Sequence, residues 1–227
     1  MRILKIALAV LATAVAGFVG YWWFLTANLE QPTFTVIAEA DDYELRRYDP
    51  FTVAETRVDG AFRNSGNVAF RRLAGYIFGR NTGSEEMAMT APVITQGAPV
   101  GTTMEMTAPV ISGPAEGGEG WTYQFVMERK FTLDTLPRPL DPAVQLREVP
   151  GRLMAARRFS GRWLEGHMRE QEARLLDALR RDGVAVLGDV SLARYNDPFT
   201  PFFLRRNEVL VEVAAPNRVA STRSPAP

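Results

Sequence analysis

The chain has 227 residues, 46% hydrophobic and 23% charged, enough to bury a core as one large domain or two small ones. Lysine plus arginine and aspartate plus glutamate each total 26, so no basic surplus points to nucleic acid. Cysteine is absent and His167 is the single histidine, which excludes disulfide frameworks, thiolate zinc sites, multi-histidine metal sites and most histidine-based catalytic triads.

The first element is apolar. Ile6 to Leu25 is a 20-residue run without a charge, preceded by Arg2 and Lys5. About 20 apolar residues of helix cross a hydrocarbon core. Positive flanks stay inside, which leaves the rest of the chain outside and Tyr21, Trp22 and Trp23 at the outer interface. Ala14-Val15-Ala16 offers a competing reading as a signal-peptide cleavage site. Cleavage there would leave Gly17 to Leu25 as an exposed apolar start, so a retained single-pass anchor is the preferred expectation. Either way the remainder is exported, to the outer (periplasmic or extracellular) side of the cytoplasmic membrane, with 24 basic and 26 acidic residues.

Beyond Glu30, Tyr43 to Tyr48 alternates apolar and polar residues, and Asp49-Pro50 turns it into Phe51 to Val58, a hairpin signal. From Asn67 to Phe78 the period becomes helical, with Phe70, Leu73, Ala74 and Ile77 on one face. Met87 to Thr95 recurs 17 residues later as Met104 to Ser112, which predicts two paired strands joined by Gln96 to Gly101 and broken at their prolines. Trp121 to Met127 is a further strand, and Gly117 to Gly120 reads as a hairpin loop. The second half repeats the order. Leu153 to Phe159 is a strand, and a helix follows Ser160-Gly161 to about Asp182 with Leu164, Met168, Leu175 and Leu179 inward. Strands return at Ser191 to Tyr195 and Glu208 to Val213, with an irregular Asp197 to Leu204 between them. This grammar predicts an α+β domain built by duplication over residues 31–214, after an anchor at 1–30 and before a disordered tail at 215–227.

Several of these segments together resemble the SOUL haem-binding protein family. They are Tyr43 to Tyr48, Tyr76 to Asn81, both Met-Thr-Ala-Pro-Val copies, Phe125-Val126-Met127, Thr135-Leu136-Pro137, Arg158 to Gly161 and Arg205 to Val209, in family order. The resemblance implies a pseudo-twofold, distorted antiparallel β-barrel flanked by two α-helices. It also implies non-covalent binding of haem or a related tetrapyrrole in an apolar groove beside the first helix, and no catalytic constellation. Two departures stand out. Some relatives carry a histidine, proposed as an axial iron ligand, where this chain has Arg47, and arginine has no lone pair to offer. Glu128 stands where proline usually follows Phe-Val-Met, a change expected to affect only the end of that strand.

Candidate cofactor-binding residues are Asn67, Phe70, Arg71, Ala74 and Phe78, a helical flank mixing apolar and cationic groups as a porphyrin with propionates requires. The same pattern also suits an ordinary amphipathic helix with a solvated arginine. His167 falls at the rim of its helix's apolar face and reads as a partly exposed residue bonded locally rather than an iron ligand. Met89 and Met106 read as core packing rather than thioether ligands. The Pro198 to Phe203 loop either closes one end of a groove or simply covers the barrel end, and a buried pair between Arg205 or Arg206 and Glu44 or Glu208 fixes the sheet. The expected function is a membrane-anchored haem or tetrapyrrole carrier with weak or absent axial ligation. The alternative is a non-haem small-molecule sensing or protein-interaction module on the same fold.

Overall fold

The structure, a computed structural model, describes residues 29–83, 101–117 and 119–215, with Thr13, Gly17 and Gly20 as isolated helical positions. Residues 1–30 and 31–227 form separate units. Among the described residues no helix is long and apolar enough to cross a membrane. The expected anchor, Ile6 to Leu25, lies almost wholly outside the described residues, as do Met89 with the first Met-Thr-Ala-Pro-Val copy and the tail from 216 on.

Among the described residues nine strands form one curled antiparallel sheet: β1 Phe34–Glu39, β2 Glu44–Tyr48, β3 Phe51–Val58, β4 Val110–Pro114, β5 Trp121–Val126, β6 Val144–Val149, β7 Arg152–Phe159, β8 Ser191–Arg194 and β9 Asn207–Glu212. Helix α1, Phe62–Ile77, follows β3, and α2, Glu165–Arg181, follows β7. The spatial order is β1-β2-β7-β9-β8-β4-β5-β3-β6. It is symmetric about the β8–β4 seam. Reading outward, β4, β5, β3 and β6 on one side match β8, β9, β7 and β2 on the other, and β1 is an addition at one edge. The chain order of two strands, a helix and two strands recurs from β6 to β9, in line with the repeated order read from the sequence.

The predicted hairpin of Tyr43 to Tyr48 with Phe51 to Val58 does not form. β2 pairs with β1 and β7, whereas β3 pairs with β5 and β6. The leading strand of each half has crossed to the other half's sheet, so Asp49-Pro50 and Pro150-Gly151 are crossover corners rather than hairpin turns. The two corners pack on each other. A side chain at Gly151 would place its Cβ 3.0 Å from the Tyr48 carbonyl oxygen and 3.3 Å from Pro50, which explains a glycine there. Strands β1 and β6 were not foreseen. β1 is largely exposed, and β6 carries Glu148 and Arg147, so neither shows a continuous apolar face.

Each helix covers its own half. α1 packs on β3, β5 and β6 around Leu73, Tyr76, Ile77, Tyr123 and Phe125; α2 packs on β7 and β9 around Met168, Leu175, Leu179, Leu153 and Val211. The second helix matches its predicted stripe except at Leu164, which is exposed and precedes the first turn. The first begins five residues earlier than predicted and is rolled. Its buried residues are Ser65, Ala69, Leu73, Ala74, Tyr76 and Ile77, while Phe70, predicted as core, is 45% exposed. The reason is polar satisfaction. Tyr76 donates its hydroxyl to the Pro137 carbonyl at 2.9 Å and Ser65 shares a 2.8 Å hydrogen bond with Tyr123, so both can be buried.

The second Met-Thr-Ala-Pro-Val copy is a strand only from Val110, after the cis Ala108–Pro109 bond. Its first residues instead run past the end of α1, where Met104 N–H donates to the Ile77 carbonyl at 2.8 Å. Asn81, fully buried, clamps this arrangement. Its side-chain amide donates to the carbonyls of Tyr76 and Thr102, and its oxygen accepts from the Thr102 and Gly83 N–H groups. Gly79 and Gly101 touch so closely that a Cβ on Gly101 would lie 1.9 Å from the Gly79 carbonyl oxygen.

Candidate functional site

The α1 flank presents two different surfaces on either side of Arg71. On one side Phe70, Ala74 and Phe78 recur every four residues, so they line up along the helix. Phe70 and Phe78 are exposed at 45% and 57%, Ala74 is buried, and Phe70 rests edge-on against Phe125 with ring centroids 5.6 Å apart. On the other side a cavity of about 490 Å³ is lined by Val68, Arg71, Arg72, Gly75, Arg80 and Asp141. That volume falls in the range of small-molecule sites, although it is an open depression with Arg71 and Arg80 exposed on its wall.

Three guanidinium groups face one carboxylate there, so the wall carries an excess of positive charge. Arg72 is positioned by donating to the Arg57 carbonyl at 3.1 Å. Arg80 lies along the helix because Gly75 has no side chain; a Cβ there would meet Arg80 Cδ at 3.0 Å. Asp141 arrives on a strap held to the helix end, with Leu140 N–H donating to the Arg80 carbonyl and Thr82 N–H to that of Arg138.

Of the five residues predicted from the sequence, only Arg71 lines the cavity. Asn67, Phe70 and Phe78 are exposed beside it, and Ala74 belongs to the packed face. Arg72 and Gly75 fall one and four positions beyond Arg71, so a wider reading of the helical wheel would have found them. Arg80 and Asp141 come from segments that no helical period connects.

The other candidates lie elsewhere. His167 is on α2; its Nε2 donates to the Ser160 carbonyl at 3.1 Å, its ring packs against Phe159, and Gly161 leaves room for it. Arg47 is exposed on β2, opposite Leu153, on the α2 half of the sheet. Met106 is 40% exposed, not core as expected; Met104 takes the buried place at 2%. Glu128 does more than end a strand. It is buried, accepts from Glu105 N–H at 3.0 Å and pairs with Lys130, pinning the returning segment to the end of β5. In the Pro198 to Phe203 loop, Phe199, Phe202 and Phe203 are exposed, so the loop does not bury its rings over the barrel end.

The expected charged pair is realised as a buried network on the face of the sheet away from the helices. Glu208, with no exposure, accepts from Arg46 at 2.8 and 3.2 Å, from Arg206 at 2.8 and 3.0 Å, and from the Tyr195 hydroxyl at 2.8 Å. Arg46 also donates to Glu44 and stacks over Phe34 at 4.6 Å. Burial pushes the Glu208 carboxyl up, but the hydrogen bonds and charges of Arg46 and Arg206 outweigh it and hold the pKa below its ordinary value. Arg205 takes no part; it bonds to the carbonyls of Thr200 and Pro198.

Against this geometry, the SOUL heme-binding protein family model matches residues 29–212. The chain belongs to the SOUL family. No curated protein matches it. Solved structures share the fold at low identity. An uncharacterized conserved protein from Listeria innocua matches with a TM-score of 0.55 at 11% identity, covering 78% of this chain and 94% of that one. A hydrolase from Listeria innocua gives 0.53 at 11% identity with the same coverage. The C-terminal domain of EcmrR gives 0.54 at 10%, covering 76% of this chain and 98% of that one. Likeness at this level establishes the architecture only. Membership in the SOUL family is membership in a haem-binding family, and it sets the cofactor against which the α1 flank is judged.

The residues suit the periphery of a haem better than its iron. Exposed rings at Phe70 and Phe78 offer apolar contact, and Arg71, Arg72 and Arg80 offer forks for carboxylates. The one imidazole, at His167, is on the helix of the other half with its Nε2 engaged.

Proposed function

We propose that this protein holds haem or a related tetrapyrrole beside α1, without firm axial ligation, for capture, buffering or transfer. Phe70 and Phe78 would hold the macrocycle by apolar contact, and Arg71, Arg72 and Arg80 would pair with its propionates. The observation that carries this reading is the three-arginine cavity adjoining an exposed aromatic stripe in a member of a haem-binding family. Haem bound in this way supplies iron whose reactivity depends on axial ligands, and the absence of an imidazole on the α1 half favours carriage over redox work. Ile6 to Leu25 anchors the chain in the cytoplasmic membrane and leaves the domain on the outer side, a reading supported by its length and its Arg2 and Lys5 flank.

Hemin titrated into the full-length chain in detergent is expected to give a saturable Soret change, weakened about tenfold by Arg71→Ala, the loss of one charge-assisted hydrogen bond. His167→Ala should leave the bound spectrum unchanged. Absence of any saturable change would refute the proposal. A second reading, a non-haem small-molecule sensor on this fold, is favoured by Arg47 standing where some relatives carry a histidine proposed as an axial ligand. A ligand thermal-shift screen separates the two, because a ligand selective for the native state raises its melting temperature.

A further inference from the structure

The deep arginines of this fold follow a rule that one of them breaks. Arg46 and Arg206 meet Glu208, and Arg157 meets Asp42 at 2.6 Å. Arg194, at the end of β8, has no carboxylate partner among the described residues. Its Nε is buried without a hydrogen bond, and its guanidinium meets aromatic rings, 5.9 Å from the Tyr123 centroid and 5.3 Å from that of Trp163. Burial pushes its pKa down, opposed only by Tyr123. Arg194 as a residue is half-buried, but its Nε is a buried donor, and a buried donor left unpaired is costly.

The strand register supplies a second orphan beside it. Arg194 lies opposite Val110, and Leu192 opposite Ser112, which is also opposite Tyr123. Alternation along the strands puts Ser112, Tyr123 and Arg194 on one face, the helix side of the seam where the two halves join. Ser112 is 1% exposed and its hydroxyl has no partner among the described residues. The Tyr123 hydroxyl is bonded to Ser65 instead. Two more cations lie at the neighbouring loop, whose carboxylate, Asp197, accepts from the Phe199 and Thr200 N–H groups. Arg205 lies over the same Trp163 indole at 4.3 Å and bonds only to neutral carbonyls, and Arg162 stacks on Phe202 at 4.9 Å.

We infer that Arg194, Ser112 and the rings of Tyr123 and Trp163 form a carboxylate-binding site at the β4–β8 seam. The guanidinium fork matches the two oxygens of a carboxylate, and the Ser112 hydroxyl donates a further hydrogen bond. The rings lie over the guanidinium and leave its planar edge to the anion, an edge that a flat carboxylate matches. No residue is shared with the cavity beside α1, so this inference does not depend on the haem reading.

The test uses the full-length chain in detergent at constant ionic strength. Acetate is expected to raise the melting temperature saturably and to change tryptophan emission, the latter lost in Trp163→Phe. Arg194→Met should abolish both responses, and Arg194→Lys, which keeps the charge but not the fork, should weaken binding about tenfold. The inference is overturned if acetate acts equally on wild type and Arg194→Met, since the effect is then a general one of the salt. It is also overturned if phosphate matches acetate, because the site then does not select a carboxylate. If Arg194→Met does not fold, the wild-type emission titration and Arg194→Lys decide alone, and an unsaturable titration refutes the site.

Discussion

Replacing Glu208 by glutamine tests the buried network most directly. The substitution keeps the shape of the side chain and removes its charge, leaving Arg46, whose side chain is 4% exposed, without an anion within reach except Glu44 at its Nε. Breaking a buried pair by removing one partner costs about 3–5 kcal/mol. Glutamine should fall near the lower end, because its oxygen still accepts one guanidinium, although its NH₂ then faces other donors. For a domain of this size about 3 kcal/mol corresponds to a loss on the order of 10 °C in Tm. Urea unfolding followed by near-ultraviolet circular dichroism measures the change.

The double variant Arg46→Met/Glu208→Leu should recover much of the loss, since hydrophobic replacement of a buried pair is often neutral or stabilising. Arg206 and Glu44, with side chains 25% and 40% exposed, can then turn to water. A cost below about 1 kcal/mol for Glu208→Gln, or single effects that add within about 0.5 kcal/mol in the double variant, would refute the reasoning.

Glu208 also sets an acid limb: with its folded pKa depressed, its contribution is complete above the ordinary value of 4.5 and is lost as pH falls through the folded pKa, so the gap between wild type and Glu208→Gln should close in acid. At the alkaline end, burial raises the pKa of Tyr48, Tyr76, Tyr123 and Tyr195, and burial together with Asp182 pushes Tyr43 up to about 12. Their stabilisation is full below the ordinary phenol pKa of about 10 and is lost as pH rises through the folded values, so phenolate absorbance should appear together with unfolding. Asn81→Ala removes four hydrogen bonds from a fully buried clamp and should cost about 2–4 kcal/mol in urea unfolding.

Local pattern was enough for much of this molecule. Alternation and helical period are properties of neighbouring residues, so the strand at Leu153 to Phe159, the helix from Glu165 and the repeated order of elements were legible without tertiary contacts. The ordered family motifs carried the expectation of haem. Pairing was not legible, because a strand's partner is chosen by the whole sheet: β2 and β3 are joined by two residues and never touch as a ladder. The roll of α1 was hidden for a related reason. Ser65 and Tyr76 look polar in sequence, and only the fold supplies Tyr123 and Pro137 to satisfy them, which turns Phe70 outward.

The sites show the same division. Arg71 was visible as a cation on an amphipathic helix, but Arg80 and Asp141 joined it through a strap defined by backbone bonds at the helix end. Glu208 and Arg46, 162 residues apart, become partners because β2 crosses to the sheet of the second half. Composition and periodicity thus determined which segments could bury a face. Which charges would be matched inside, and that Arg194 would meet no carboxylate among the described residues, was decided only when strands distant in sequence came together, since hydrogen bonds and ion pairs act over a few ångströms of space regardless of chain separation.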